Sequence, residues 1–157
     1  MPAGTHAGRN AVEHNRAHTL ALGPSHPMKI LQPTGWPQPR GYSNGISARG
    51  RQVFVAGMIG WDAQGRFPSA DFAAQARQAL LNIVAVLAED GARPEHITRM
   101  TWYVTSKREY LDAGKALGAA YRELIGRHFP VMTAVEVSAL MEDQAKVEIE
   151  VTAVVPD

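Results

Sequence analysis

Val147-Glu148-Ile149-Glu150-Val151-Thr152-Ala153-Val154-Val155, near the carboxyl end, alternates strictly. Val147, Ile149, Val151, Ala153 and Val155 share one side; Glu148, Glu150, Thr152 and Val154 share the other. Period-two alternation rich in β-branched residues marks a half-buried strand. Just upstream, Val131-Met132-Thr133-Ala134-Val135-Glu136-Val137 alternates too, with Val131, Thr133, Val135 and Val137 opposite Met132, Ala134 and Glu136. Residues 140–144 between the runs suffice to reverse the chain, so a hairpin is expected. The second face mixes Glu136, Glu148 and Glu150 with Met132 and Ala134, which suits neither water nor a core. Such carboxylates either sit on a sheet edge or line a cleft that a second subunit completes.

The 157 residues suit one domain with a real core. A formal net charge of +1 and the lack of any basic tract argue against nucleic-acid or membrane-surface binding. The absence of cysteine removes disulfides, thiolate nucleophiles and Cys-ligated metals, and is compatible with a cytoplasmic protein. No apolar run is long enough to span a membrane.

Residues 1–27 have no apolar period and hold His6, His14, His18 and His26. His14 and His18 have a metal-binding spacing on a helix, but a solvated arm is the expectation. Met28 opens the patterned chain and is taken as a natural start, with residues 1–27 a disordered arm or an over-extension and residues 28–157 the domain.

Pro37 and Pro39 make residues 35–41 a loop. Residues 42–48 read as a short strand, residues 49–51 as a turn. Gln52-Val53-Phe54-Val55-Ala56-Gly57-Met58-Ile59 is so apolar that a central strand buried on both faces is expected, with a bulge or close backbone approach at Gly57. Ser69 is the expected N-cap of a helix over residues 71–89. Phe72, Ala76, Ala79, Leu80, Ile83, Val84 and Leu87 form its buried stripe, and Gly91 and Pro94 end it. Residues 97–105 are a strand. Ser106 caps a second helix running to about residue 125, and Gly126 stops it.

The order is thus β-β-(β)-α-β-α-β-β, an α+β mixed sheet with two helices on one face. Six strands make a sheet about 24–29 Å wide, and two helices cover about 20 Å of one face. The other face is too apolar for water, so subunits should pack there.

The chain resembles the Rid family, the reactive-intermediate deaminases also called YjgF-type or endoribonuclease L-PSP-like proteins. The resemblance spans about residues 28–156. It is carried by Arg40-Gly41-Tyr42-Ser43-Asn44-Gly45, by Val53-Phe54-Val55-Ala56-Gly57-Met58-Ile59-Gly60, by Ala74-Gln75-Ala76-Arg77-Gln78-Ala79-Leu80-Leu81-Asn82-Ile83, and by the closing Val147-Glu148-Ile149-Glu150 strand. It implies a chorismate-mutase-like subunit and a homotrimer whose sheets form a central barrel, with clefts between neighbours. It also implies cofactor-free and metal-free hydrolysis of enamines and imines such as those from 2-aminoacrylate.

In active members an arginine on the penultimate strand grips the substrate carboxylate, and a glutamate on the last strand holds the attacking water. A loop tyrosine, a hydroxyl residue before the strand glycine and a helix asparagine complete the cleft. Here Tyr42, Gly57 and Glu148 match the tyrosine, the glycine and the glutamate. Met132 stands in place of the arginine, Ala56 of the hydroxyl residue and Gly118 of the asparagine. A thioether cannot imitate a bidentate guanidinium–carboxylate pair. An anionic 2-imino acid would meet an apolar wall beside a like charge.

Glu148 is therefore the candidate catalytic residue, or else an ordinary interface carboxylate. Tyr42 and Met132 are candidate cleft walls or core filler. Trp36 and Trp61 are cleft-mouth contacts or loop staples. Arg40 could supply the missing cation if its loop folds over the cleft. His128 reads as a surface or capping group. Two functions stand: a hydrolase acting on a larger, less anionic imine, enamine or related labile small molecule, and a ligand-binding or regulatory trimer without catalysis. Ribonuclease activity is weakest, since no basic–aromatic interleaving exists.

Overall fold

The structure, a computed structural model, describes residues 28–157. The expected arm, with His14 and His18, lies outside the described residues. Strands β1 (Met28–Leu31) and β2 (Gly45–Ala48) form an antiparallel pair. Strands β3 (Arg51–Met58), β4 (Ile97–Val104), β5 (Val131–Glu136) and β6 (Val147–Val155) form a four-stranded sheet in the order β3-β6-β4-β5. Helices α1 (Phe72–Ala88), α2 (Lys107–Asp112) and α3 (Gly114–Leu124) pack on one face of it. The element order and the α+β mixed-sheet class agree with the sequence. Among the described residues no helix is long and apolar enough to cross a membrane.

The core lies between α1 and the inward side of the sheet. Ala76, Ala79, Leu80, Ile83 and Leu87 of α1 are buried, as the helical stripe requires. They meet Val147, Ile149, Val151 and Ala153 of β6 and Met100 and Trp102 of β4.

Several details differ from the sequence reading. β5 and β6 do not form a hairpin. β4 lies between them, antiparallel to β6 and parallel to β5. Residues 137–146 are too long for a tight turn and carry the chain across one strand. That places β6, whose four inward side chains are all buried, in the interior of the sheet, with partners on both edges.

β3 is an edge strand, not a central one. Only Val55 is buried, and Phe54 is 72% exposed. Its inward residues reach the core under α1, while its outward face has no cover among the described residues. The sheet has four strands rather than six, because the β1–β2 pair touches it only through the Ser43–Val131 bridge.

The second helix breaks at Ala113, which ends α2 and starts α3. Gly114 follows directly and weakens helical continuity there. Ser106 caps α2 as expected, accepting from the Glu109 N–H. At α1 the cap is Asp71, not Ser69: the Asp71 carboxylate accepts from the Ala74 N–H at 2.8 Å. Ser69 acts one step earlier, accepting from the Asp71 N–H. A carboxylate at this place also faces the positive end of the helix dipole.

One buried polar side chain ties these parts together. Gln75, on the first turn of α1, is 1% exposed. Its amide donates to the carbonyls of Ser69 and Gln144, and its oxygen accepts from the Lys146 N–H at 2.8 Å. It pins the entry of α1 to the entry of β6. Gly60 packs against it so closely that an added Cβ would collide. Gln75→Leu keeps the volume but strands two carbonyls and one N–H. At about 1–3 kcal/mol for a buried group left unpaired, urea unfolding should show a loss of about 3 kcal/mol or more. A loss under about 1 kcal/mol would mean that water replaces the amide.

Candidate functional site

The parity of β6 decides where the carboxylates point. Val147, Ile149, Val151 and Ala153 face the core, so Glu148 and Glu150 project from the helix-free face. Beside them, β3 carries a bulge: pairing runs Val55 to Val151 and then Met58 to Ile149, so Ala56 and Gly57 together stand opposite Glu150 alone. At the bulge the Glu148 side chain lies on the Gly57 backbone, and a Cβ on Gly57 would collide with its Oε1 and Cδ. The missing side chain is what makes the seat for the carboxylate.

Three carboxylates share the mixed character noted in the sequence, and the structure separates them. Glu136 accepts from the Lys107 N–H at the start of α2, which makes it structural. Glu150 accepts from the Tyr103 hydroxyl at 3.1 Å. That bond, with desolvation and the charges of Glu150 and Glu148, holds the Tyr103 phenol above its ordinary pKa. Glu148 is half-buried, and no side-chain donor among the described residues reaches it.

Met132 points the other way. It pairs with Met100 across β4–β5, and Trp102 pairs with Ala134, so all share the helix-covered face. Met132 packs against the core beneath α2 and α3 and opens into a cavity of about 240 Å³. Trp102, Tyr110, Leu117, Gly118 and Tyr121 form most of its walls, with Gly41 at one side. Tyr121 donates to the His128 carbonyl at 2.7 Å, and burial pushes its phenol pKa up.

Gly41 belongs to the loop that carries Tyr42. That loop is fixed to the start of β5: the Ser43 N–H donates to the Pro130 carbonyl and its hydroxyl to the Phe129 carbonyl at 2.6 Å. Tyr42 itself lines a neighbouring hollow with His128 and Phe129.

The candidate residues thus fall into two groups. Met132, Gly118 and the Gly41–Tyr42 loop cluster beside edge strand β5. Glu148, Gly57 and Ala56 cluster at the β3–β6 bulge. In one chain the two groups lie on opposite faces of the sheet.

Of the remaining candidates, Trp61 and Trp36 belong to other loops, while Arg40 and His128 flank the first group without entering the cavity around Met132. Asn82 staples the Trp61 loop by donating to the Ile59 and Trp61 carbonyls. Gln32 donates to the Trp36 carbonyl, and Trp36 is 61% exposed. Arg40 is exposed in the loop before Gly41. His128 Nε2 lies 2.5 Å from the Ile97 carbonyl, a structural contact. Among the described residues no group of three or more His, Asp or Glu is placed to hold a metal ion.

Sequence reasoning missed the open-face set of Arg99, Thr101 and Tyr103 beside Glu150. Period-two alternation along β4 would have shown it. It also missed the aromatic walls around Met132, which come from separate elements and share no sequence spacing.

The family model for endoribonuclease L-PSP matches residues 37–155. A RutC family protein from Synechocystis is 33% identical over 132 residues, covering 82% of this chain and 98% of its own length. A 2-iminobutanoate/2-iminopropanoate deaminase from Salmonella typhimurium is 31% identical, covering 72% of this chain and 86% of that protein. Among solved structures, a Rid-family protein of unknown function from Yersinia pestis superimposes with a TM-score of 0.72 at 26% identity, covering 82% of this chain and 99% of that one.

The Gly57 seat has a direct test. Gly57→Ala should turn the Glu148 side chain away from its position, at an off-rotamer cost of about 1 kcal/mol. In a Glu148→Ala background the same substitution should cost almost nothing, a coupling that a double-mutant cycle of unfolding free energies measures. Equal costs in both backgrounds would show that the contact is incidental.

Proposed function

This chain belongs to the endoribonuclease L-PSP family, the YjgF or Rid proteins, and on that premise we propose that it hydrolyses an imine or enamine lacking the carboxylate anchor of 2-imino acids. The observation that carries this is Glu148. It is a half-buried carboxylate seated on a glycine bulge, with no side-chain donor among the described residues. Such a group can accept a hydrogen bond from water and take its proton as the oxygen attacks the C=N carbon. Glu148 returns that proton to the nitrogen, and the C–N bond breaks as the hydroxyl loses its own proton to form the C=O, giving a carbonyl compound and ammonia or an amine. No cofactor is needed for that balance. The deaminases among the relatives bear this chemistry in their name; here Met132 supplies no cation to hold a carboxylate.

The cleft is completed by a second copy. Met132 with Gly118 stands beside one sheet edge, and Glu148 with Gly57 near the other. Phe54 at 72% and Val135 at 41% exposure leave apolar surface on the helix-free face that packing between copies would cover. We expect a homotrimer, so light scattering at micromolar concentration should give three times the 17.0 kDa chain mass. A stable monomer would remove the shared cleft.

Turnover of the 2-aminoacrylate-derived imine should be slow in the wild type. Met132→Arg should raise kcat/KM about ten- to a hundred-fold, since a charge-assisted bond contributes about 1.5–3 kcal/mol. Glu148→Gln should abolish that gain and leave the oligomer intact. Wild-type turnover equal to that of the Salmonella deaminase would refute the role given to Met132. Met132 also favours a second function, a binding trimer without catalysis. It becomes the better account if Glu148→Gln changes no activity.

A further inference from the structure

The cavity beneath Met132 is lined by Trp102, a side chain whose polar atom its surroundings do not satisfy. Trp102 is 4% exposed, and its indole N–H is buried without any acceptor among the described residues. Buried donors are nearly always paired, so an orphan on a side chain that lines a cavity points to an acceptor that a ligand brings as the walls adjust to it. The other walls are Tyr110, Leu117, Gly118, Tyr121 and Met132, none of them charged at neutral pH. Tyr110 packs edge-on against Trp102, with ring centroids 6.1 Å apart at 70°. A dry cavity of about 150 Å³ takes benzene. At about 240 Å³ this one has room for one ring and a few further atoms.

We propose that this cavity is the subsite for a neutral aromatic substituent of the substrate, whose acceptor atom takes the Trp102 indole N–H. Calling the occupant a substrate group rests on the hydrolase function above; the binding itself does not. Gly118 lines the space, and a Cβ there would meet only the Arg122 guanidinium, at 3.4 Å, so a larger side chain can be placed there to take up room. Arg122 lies over Gly118 and is the charge that could instead favour an anionic ring.

The probes are acetophenone, which has a ring and a carbonyl acceptor, ethylbenzene, which lacks the acceptor, and benzoate, which is anionic. Indole N–H resonances of the ¹⁵N-labelled protein report the contact. The three tryptophans give three signals, and Trp36→Phe and Trp61→Phe identify that of Trp102 by elimination. Acetophenone should move the Trp102 signal downfield and saturably. Ethylbenzene should give no downfield shift, and benzoate should bind at least about tenfold more weakly. Gly118→Leu fills the space and should weaken acetophenone binding about tenfold or more.

The proposal fails if only the Trp36 or Trp61 signals move, if ethylbenzene reproduces the shift, if benzoate binds as well as acetophenone, or if Gly118→Leu binds normally. Hydrolysis of acetophenone imine separates the two ideas. Binding at Trp102 without turnover keeps the subsite and removes the hydrolase. Turnover unaltered by Gly118→Leu keeps the hydrolase and removes the subsite.

Discussion

Burial of the inward side of β6 against α1 is the constraint on which the rest of the molecule depends. Val147, Ile149 and Ala153 have no exposed surface, and Val151 has almost none. A slip of one residue would turn all four toward water and four other side chains, two of them glutamates, toward the core. The hydrophobic cost of that slip fixes the register against both β3 and β4. It therefore fixes the direction of Glu148 as firmly as that of Ile149. The carboxylate owes its place to the packing of its apolar neighbours, and the glycine bulge in β3 provides the room. Gln75 secures the same register from the end of the strand, since its oxygen accepts from the Lys146 N–H just before β6 begins.

The same parity rule sets the character of the Met132 site. Met132 shares a face with Met100 and Trp102, so its side chain is held among apolar and aromatic groups. A guanidinium there would lose much of its hydration and would need a carboxylate in return. A thioether loses little on burial and adapts its shape to its neighbours. Met132, Gly118 and the uncharged aromatic walls are consistent with one another. Three separate stretches of chain lack charge at one cavity, which is how a site suited to neutral ligands is built.

Much of this was legible in the sequence, because period-two and period-3.6 patterns report burial directly. The four buried positions of β6, the α1 stripe and the break at Gly91 followed from local chemistry. The order of strands did not. Alternation tells which residues face inward but not which strand lies alongside. Residues 137–146 could have formed a loop to a neighbour or a crossing to the next position, and only packing against α1 decides. β3 misled for a related reason: Phe54 and Val55 are both apolar, but only Val55 is buried, and nothing among the described residues covers Phe54. At the site, Glu148 and Gly57 were found through motif resemblance and placed in contact by the bulge. The orphan Trp102 N–H had no signature, since an unpaired donor is a property of three-dimensional surroundings alone.

A sheet of four strands has two faces, and the candidate residues occupy both. Side chains on opposite faces of one sheet are separated by the backbone itself and cannot touch a common small molecule. If Glu148 and Met132 serve the same substrate, they must come from different copies of the chain. The exposed edge strands make that arrangement physically economical. β5 presents the aromatic cavity at one edge, and β3 presents the bulge at the other, so a ring of copies joined edge to edge would meet unlike halves at every junction. Such a junction is heterologous, and it closes without leaving an unpaired edge only when the rotation per copy divides a full turn. Catalysis and assembly would then depend on one geometric condition. A substitution that opened the ring would abolish activity without touching Glu148.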